Sequence, residues 1–338
     1  MARWRRLVGP SRTALARELR GSVTSMPFEL EHRLVVGVAS SALFDLAEAD
    51  EVFRTQGEDV YRRYQETHLD DPLEPGVAFQ FVQRLLSLND LSAPNDPLVE
   101  AIVLSRNDPD TGLRVMESVK HHKLPITRAV FMQGRSPYKF MPAFSMSLFL
   151  SANGNDVRQA VAAGLPAGRV MASPAVDDDS NDLRIAFDFD GVIADDESER
   201  VMKAAADDVQ AFHDHEVANM ATPHGDGPLR DFLARINAIQ RREEERHASD
   251  PSYQPRVHIA IVTARNAPSH RRAVETLKKW GLRVNDAFFL GGVEKRKVLE
   301  ILKPHMFFED QLGNLVGASK VVPSVHIPFG IRNAEPGT

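Results

Sequence analysis

Two carboxylates, Asp188 and Asp190, close an apolar run in the segment LRIAFDFDGVIADDESE. Further acids follow in the same segment: Asp195, Asp196, Glu197 and Glu199. Carboxylates crowded at the end of a buried strand repel one another and resist desolvation, so stability does not explain them. We therefore expect a cationic ligand to join Asp188 and Asp190.

Three later segments carry polar side chains at the ends of apolar runs or in the loops beside them. Thr263 closes IVT, Lys295 lies in GGVEKRK, and the pair Glu309 and Asp310 follows MFF. In a parallel sheet the ligand sites form at the carboxyl ends of the strands, so these side chains are expected to meet Asp188. In this order, the motifs resemble those of the haloacid dehalogenase-like phosphohydrolases.

The resemblance implies roles in the hydrolysis of a phosphate monoester. Asp188 would attack phosphorus and form an aspartyl-phosphate, while Asp190 would protonate the leaving oxygen and later activate water. Thr263 would donate a hydrogen bond to the phosphoryl group, and Lys295 would neutralise its developing charge. These four residues are the predicted catalytic residues.

The same resemblance implies a metal site at the carboxylates. Its ligands would be Asp188, the backbone carbonyl of Asp190, and Asp310, with Glu309 nearby. A divalent cation offsets the repulsion between a phosphate dianion and a carboxylate nucleophile, and Mg²⁺ suits a site made of oxygen ligands. Mg²⁺ is therefore the predicted cofactor.

Each motif also has a simpler interpretation. Asp-x-Asp-Gly can be a calcium loop or an acidic turn, and Thr263 taken alone can be a strand end or an N-cap. The acids at 195–199 suit the positive end of a helix. Either Lys295 or Lys297 could be the catalytic lysine. An internal repeat places Lys297 opposite Lys139, whereas the family spacing selects Lys295.

The internal repeat also sets the expected fold. AIVLSRNDPDTGLRVMESV begins at Ala101, and the similar AIVTARNAPSHRRAVETL begins at Ala260, an offset of 260 − 101 = 159 residues. Both segments predict a strand, a polar turn and an amphipathic helix that leads to a second strand. Such alternation predicts an α/β protein with doubly wound parallel sheets, here as two haloacid dehalogenase-like (Rossmann-like) halves from an internal duplication.

The predicted domains follow from this repeat. Residues 1–28 form an Arg-rich tail that is predicted to be disordered, and Met26 is an alternative start. Residues 29–175 form the first half, and residues 183–338 form the catalytic half. A helical cap is predicted within the second half at about 195–256, because an insert of that length exceeds an ordinary loop.

The first half lacks the catalytic side chains at the matching positions. The sequence offsets set Val38 and Ser40 opposite the two catalytic acids, and Leu104 opposite the catalytic threonine. Ser151 and Ala152 stand opposite the acidic pair. We therefore predict a catalytically dead copy that could still contribute to the substrate pocket or to an oligomer interface.

Several longer sequence segments resemble those of one particular family of phosphohydrolases. ASSALFDL, VLSRNDPDTGLRV, LFLSAN, DESE, FLGG and FFEDQ look like the cytosolic type I 5'-nucleotidases and their bacterial relatives. This resemblance implies Mg²⁺-dependent hydrolysis of nucleoside 5'-monophosphates, with AMP the leading substrate, and a nucleotide effector by analogy. Two positions depart from the family pattern: Asp188-Phe189-Asp190-Gly191 stands for Asp-Gly-Asp-Ala, and Glu309 stands for the first of two Asp.

Two polar turns are the candidates for contact with the nucleoside. Arg265 and Asn266 follow the catalytic threonine and would either orient the nucleoside or hold their own loop together. Arg106, Asn107 and Asp108 in SRNDPDTG would contact the sugar or the base. The alternative for this second turn is a polar cap on the following helix.

Composition excludes several other classes. The formal net charge of −6 over 338 residues gives no overall basic field for nucleic acid. Cys is absent, which excludes disulfides, and no apolar run approaches the ~18–20 residues of a membrane span. We expect a cytoplasmic protein without nucleic-acid or membrane partners, and a homo-oligomer stays open. The alternative functions are a phosphatase or phosphotransferase acting on another phosphomonoester, such as a sugar phosphate, and a nonenzymatic nucleotide sensor.

Overall fold

The structure is a computed structural model that describes residues 28–174 and 180–334. Three predicted features lie wholly or partly outside the described residues: the tail apart from Phe28, the alternative start at Met26, and the connection between the halves at residues 175–179. The described chain alternates strands and helices, as a mixed α/β protein does.

The strands belong to a single mainly parallel sheet. They are β1 (Leu34–Val38), β2 (Val99–Ser105), β3 (Arg128–Phe131), β4 (Leu148–Ser151), β5 (Ala167–Val170), β6 (Leu183–Phe187), β7 (Val257–Thr263), β8 (Asp286–Phe289), β9 (Met306–Glu309) and β10 (Ser324–His326). Central strands such as β1 are rich in β-branched residues and buried along their whole length, because helices cover both faces of the sheet.

Twelve α-helices occur in the described ranges 28–174 and 180–334. They are α1 (Ser40–Leu43), α2 (Ala47–Gln56), α3 (Glu58–Thr67), α4 (Phe79–Ser87), α5 (Pro109–His121), α6 (Gly154–Ala162), α7 (Glu197–Ala204), α8 (Val209–Ala218), α9 (Arg230–Ser249), α10 (His270–Lys279), α11 (Lys295–Leu302) and α12 (Leu312–Ala318). Within those same ranges, none of the helices combines the length and the apolar character that a membrane span requires.

The two halves of the sheet have the same strand order. The order across the whole sheet is β3-β2-β1-β4-β5-β10-β9-β6-β7-β8, so each half reads third, second, first, fourth and fifth strand from its outer edge inwards. The halves meet where β5 and β10 pair antiparallel, whereas the strands within each half pair parallel. The carboxyl ends of the strands in the two halves therefore lie at opposite edges of the sheet.

Strand register corrects two of the sequence-based correspondences. The backbone N–H of Asp188 donates to Phe308, and the backbone N–H of Ala39 donates in the same way to Leu150. Ala39, and not Val38, is therefore the counterpart of the predicted nucleophile. The sequence offset was wrong here by one residue, because the two loops after the first strands differ in length.

The counterpart of the catalytic threonine shifts in the same way. β2 and β7 both span seven residues, and their registers against β1 and β6 are equivalent. Ser105, at the end of β2, therefore matches Thr263 in place of Leu104. The first half still offers no carboxylate at the positions of the catalytic acids, because Ala39, Ser151 and Ala152 occupy or adjoin them.

The predicted cap at 195–256 does not act as one unit. Helix α9 buries Phe232, Leu233 and Ile236 in the main core, so its apolar face packs on the sheet. The ring of Phe232 lies 6.2 Å from that of Phe187 and 5.9 Å from that of Phe308. Helix α9 is therefore the crossover between β6 and β7, and only α7 and α8 precede it as an insertion.

Candidate active site

Asp188 and Asp190 lie directly beyond the end of β6, where the loop turns back over the sheet. Both are buried, and Oδ1 of Asp188 accepts a hydrogen bond from the backbone of Phe189 at 2.7 Å. Gly191 follows with φ +70°, and a Cβ at that position would lie 2.7 Å from a carboxylate oxygen of Asp310. A glycine here lets the loop and the acidic pair after β9 approach closely.

Asp310 is the clearest sign of a cation site. Ligand oxygens of Asp188, Glu309 and Asp310 lie within 4.8 Å of one another, and no described residue donates a hydrogen bond to either buried oxygen of Asp310. Burial, together with the negative charges of Glu199, Asp188 and Glu309, raises the pKa of Asp310 to about 11. Such an orphaned carboxylate fits a divalent cation, and the all-oxygen donor set fits Mg²⁺.

Lys295 supplies a positive charge inside this cluster. Its Nζ lies 2.6 Å from Oδ2 of Asp188 and 2.7 Å from Oε2 of Glu309. Burial lowers the pKa of Lys295, but the two carboxylates outweigh burial and leave the pKa raised. The structure thus brings Lys295 to the predicted nucleophile, whereas Lys297 is exposed on α11.

Glu309 differs from Asp310 because both of its oxygens already have partners. Oε2 accepts from Lys295, and Oε1 accepts from the backbone N–H of Gln311 at 3.0 Å. Glu309 is therefore better placed to hold Lys295 than to bind a metal directly.

Thr263 and the residues after it form one wall of the site. The buried Thr263 ends β7, and its Oγ1 accepts from the backbone N–H of Arg265 at 3.3 Å. Asn266 is exposed and lies at the rim of the same cavity. The structure therefore brings both predicted turn residues to the carboxylates.

Arg265 is buried and holds Asp190 through two hydrogen bonds. Nε donates to Oδ2 of Asp190 at 2.7 Å, and Nη2 donates to Oδ1 at 2.5 Å. Nη1 pairs with Glu216 of α8, and the guanidinium lies over the rings of Phe189 and Phe212. With its nitrogens engaged in this way, Arg265 fixes the position of Asp190, the predicted catalytic acid.

Helices α7 and α8 close over the strand ends and form a cavity of about 350 Å³. Its walls combine the carboxylates with side chains of both helices: Asp188, Asp190, Glu199, Met202, Val209, Phe212, His213, Thr263, Ala264, Arg265, Asn266, Gly291, Gly292, Gln311, Asn314 and Arg332. Phe189 does not line this cavity and packs in the core instead. The large side chain of Phe189, which departs from the family pattern, therefore does not occupy space in the cavity.

Glu199 is a site residue that sequence patterns alone do not identify. It lies in the first turn of α7, as the acidic cluster there predicts, but its side chain is buried in the cavity. Its Oε1 accepts from Nε2 of Gln311 at 2.7 Å. Burial, with the nearby charge of Asp190, raises the pKa of Glu199 to about 7.

The second predicted turn does not reach this cavity. Arg106 pairs with Asp156, with Nε donating to Oδ2 at 2.9 Å, and Asp108 caps α5 by accepting from the backbone of Thr111 at 2.8 Å. Asn107 lies with Arg106 at a separate cavity on the strand ends of the first half. The structure therefore does not bring these three residues to the cavity that contains Asp188.

The sheet topology explains this failure. β2 stands six places from β6, which at about 4.8 Å per strand separates them by roughly 29 Å. The antiparallel junction between β5 and β10 also turns the two sets of carboxyl ends to opposite edges. For the same reason, the first half does not contribute its strand-end loops to the catalytic cavity of the same chain.

A mainly parallel α/β sheet with buried carboxylates and a lysine at its strand ends fits the class of phosphoric monoester hydrolases. A family model described as 5'-nucleotidase matches residues 26–334. The chain belongs to this 5'-nucleotidase family, which confirms the family expected from its resemblance to the cytosolic type I enzymes.

One curated relative is human cytosolic 5'-nucleotidase 1B, which is 30% identical over 302 residues. The alignment covers 87% of this chain and 48% of the human protein, so the chain spans about half the length of that relative. No solved structure matches the chain significantly.

Proposed function

We propose that the chain is a Mg²⁺-dependent 5'-nucleotidase that hydrolyses nucleoside 5'-monophosphates, with AMP the favoured substrate. The observation that carries this proposal is the buried cluster of Asp188, Glu309 and Asp310, in which the oxygens of Asp310 have no hydrogen-bond partner among the described residues. Asp188 of this cluster lines the cavity under α7 and α8. Family membership supports the choice of a nucleotide over another phosphomonoester.

In the first step, a carboxylate oxygen of Asp188 attacks phosphorus and forms an aspartyl-phosphate. The bond from phosphorus to the 5' oxygen breaks, and its electron pair leaves with the nucleoside oxygen, which takes a proton from Asp190. Lys295 and Thr263 stabilise the charge that develops on the phosphoryl oxygens. A bound Mg²⁺, held by Asp188, the backbone carbonyl of Asp190 and Asp310, would draw negative charge from the phosphoryl group.

In the second step, water attacks the phosphorus of the aspartyl-phosphate. Asp190 accepts a proton from this water, and the bond between phosphorus and Asp188 breaks, which releases phosphate and restores the carboxylate. Both oxygens of Asp190 accept hydrogen bonds from Arg265. Each carboxylate oxygen has a second lone pair, so Asp190 can exchange a proton with the leaving oxygen or with water while Arg265 holds it in place.

The cap side of the cavity suits a nucleoside. Met202, Val209 and Phe212 present apolar surface opposite the carboxylates, and an aromatic side chain can stack on a base. Glu199 and Asn266 offer polar partners for the sugar hydroxyls. The cytoplasmic location, the nucleotide effector and the homo-oligomer stay predictions.

We also propose that both halves are haloacid dehalogenase-like units from an internal duplication, with α7 and α8 as the cap of the catalytic half. The equal strand orders support this proposal. Gly76 and Gly227 give further support, since a Cβ at either position would collide with the backbone of the loop that follows the first strand of its own half.

The function is tested by phosphate release from AMP, IMP, CMP, UMP and glucose 6-phosphate, each in Mg²⁺ and in EDTA. We expect turnover of the nucleotides in Mg²⁺, fastest for AMP, and loss of turnover in EDTA. Turnover of glucose 6-phosphate alone would reject the nucleotidase function while keeping a phosphatase. Nucleotide binding without any phosphate release would favour the nonenzymatic sensor.

A further inference from the structure

The loop that follows β10 contacts the acidic pair of the candidate active site. This loop comprises residues 327–333, and we call it the β10 loop. His326, the last residue of β10, is buried, and Asn333 at the end of the loop is partly buried. Both side chains bind the backbone carbonyl of Asp310, the residue whose carboxylate best fits a direct metal ligand.

The backbone of Asp310 is held on both sides of its Cα atom. On one side, the carbonyl of Glu309 accepts from the backbone N–H of Ile327 at 2.9 Å. On the other side, the carbonyl of Asp310 accepts from Nδ2 of Asn333 at 2.9 Å and from Nε2 of His326 at 2.9 Å. Because both peptide planes that flank the Cα atom are held, the direction of the Cα–Cβ bond is held as well.

The hydrogen-bond partners show which atoms donate. Nδ2 of Asn333 meets two carbonyl oxygens, that of Asp310 and that of Phe329 at 2.8 Å, so this nitrogen donates to both. Nε2 of His326 meets two acceptors, the carbonyl of Asp310 and Oδ1 of Asn333 at 3.0 Å, so Nε2 carries the ring hydrogen. The carbonyl of Asp310 therefore receives two donors, one for each of its lone pairs.

The carboxylate of Asp310 depends on this backbone hold for its direction. No described residue donates a hydrogen bond to either of its oxygens, so the side chain itself is not oriented by a donor. A metal site binds its ion more tightly when the ligands are held in place in advance. The backbone hold, with the close packing of Gly191, keeps the carboxylate beside Asp188.

The β10 loop is also anchored to the insertion. The backbone N–H of Ile331 donates to Oδ2 of Asp196 at 2.7 Å, and its carbonyl accepts from Nζ of Lys203 at 3.2 Å. Nη2 of Arg332 pairs with Asp207 at 3.0 Å. The loop therefore has supports of its own in α7 and in the turn that follows α7.

We propose that His326 and Asn333 are positioning residues for the metal: by holding the carbonyl of Asp310, they direct its carboxylate into the metal site. Neither residue lines the catalytic cavity, so both act through Asp310. Partners that orient a metal ligand without touching the metal typically change metal affinity by about ten- to a hundredfold. The inference rests on the proposed function, from which it takes the Mg²⁺ site.

Isothermal titration of the full chain with Mg²⁺, in the absence of substrate, measures this positioning directly. Asn333→Ala removes the Nδ2 donor, and we expect the affinity for Mg²⁺ to fall by at least about tenfold. Asn155→Ala, at an exposed asparagine of α6, is the matched control and should bind Mg²⁺ as the wild type does.

A pair of variants at His326 separates the hydrogen bond from packing. A glutamine side chain can donate from its amide nitrogen where Nε2 of the imidazole donates, whereas leucine fills the space without a donor. We expect His326→Gln to bind Mg²⁺ within about threefold of the wild type, and His326→Leu to bind it at least about tenfold more weakly.

Two results would overturn the proposal: equal affinities for Mg²⁺ in Asn333→Ala and Asn155→Ala, and equal affinities in the two His326 variants. If a variant at one residue does not fold, the comparison at the other residue decides. A wild-type protein that binds Mg²⁺ but releases no phosphate from nucleotides rejects the proposed function alone, because the titration contains no substrate. A wild-type protein that binds no Mg²⁺ rejects the metal site and the positioning role together.

Discussion

Charge balance at the strand ends depends on single residues. Asp188, Glu309 and Asp310 bring three buried carboxylates together, and Lys295 is the cation that contacts two of them. Removing a charge from such a pair leaves its partner buried without compensation. We therefore expect Lys295 to act on the phosphoryl group and also to stabilise the carboxylates before substrate binds.

Lys295→Met should reduce kcat by at least about a hundredfold, because the positive charge at the reacting phosphoryl group is lost. Lys297→Met is the matched control, since this neighbour is exposed on the same helix. Steady-state phosphate release from AMP measures both variants. A larger loss in Lys297→Met than in Lys295→Met would identify the other lysine as catalytic.

Affinity for Mg²⁺ should rise with pH between pH 6 and 8. The raised pKa of Asp310, to about 11, means that this carboxylate holds a proton in the metal-free protein, and the cation must displace that proton. Each proton released makes binding about tenfold tighter per pH unit. Isothermal titration with Mg²⁺ at pH 6, 7 and 8 measures this dependence, and an affinity that does not vary with pH would contradict it.

The sequence indicates which predicted catalytic residues lie at the strand ends, but it does not indicate which residues support them. Asp188 and Asp310 directly follow a strand and Thr263 ends one, so local patterns place all three at one edge of the sheet. Glu216 and His224 come from the insertion, and nothing in their own neighbourhood signals that they meet Arg265. Contacts of this kind depend on how the insertion folds back, which is a tertiary property.

Helix α9 decides where the insertion ends. Its apolar face resembles that of any amphipathic helix, so the sequence alone does not distinguish a cap helix from a crossover helix. Packing resolves the choice, because Phe232 is fully buried among the rings of Phe187 and Phe308. The packing of α9 on the sheet therefore limits the proposed cap to α7 and α8.

Phe232→Ala should lower the free energy of unfolding by about 3–5 kcal/mol, the cost of emptying a buried aromatic site. Val217→Ala, on α8 at 46% exposure, is the control and should change it by less than about 0.5 kcal/mol. Urea denaturation followed by circular dichroism measures both. Similar small effects in the two variants would place α9 in a mobile cap.

The whole molecule is built on an edge-to-edge junction that the sequence does not reveal. The internal repeat predicts two similar halves, and their strand orders agree. The pairing of β5 with β10 joins residues far apart in the chain and reverses the direction of one half. The sequence patterns predict that the turn at 106–108 contacts the substrate. The long-range pairing instead places this turn at the opposite edge of the sheet from Asp188.

The two halves should unfold together. The main core cluster runs through both, and the ring of Phe81 in the first half lies 6.1 Å from that of Phe308 in the second. Differential scanning calorimetry should therefore give one transition whose calorimetric and van't Hoff enthalpies agree. Two resolved transitions would show that the halves are energetically independent.

The most direct test of the catalytic assignment is phosphate release from AMP in Mg²⁺ by the wild-type protein and by Asp188→Asn. Since Asp188 is the proposed nucleophile, we expect metal-dependent turnover in the wild type and a loss of at least about 10³-fold in the variant. Asp286→Asn, at an exposed carboxylate of β8, is the matched control and should retain full activity. Unchanged turnover in Asp188→Asn would contradict an aspartyl-phosphate at this residue.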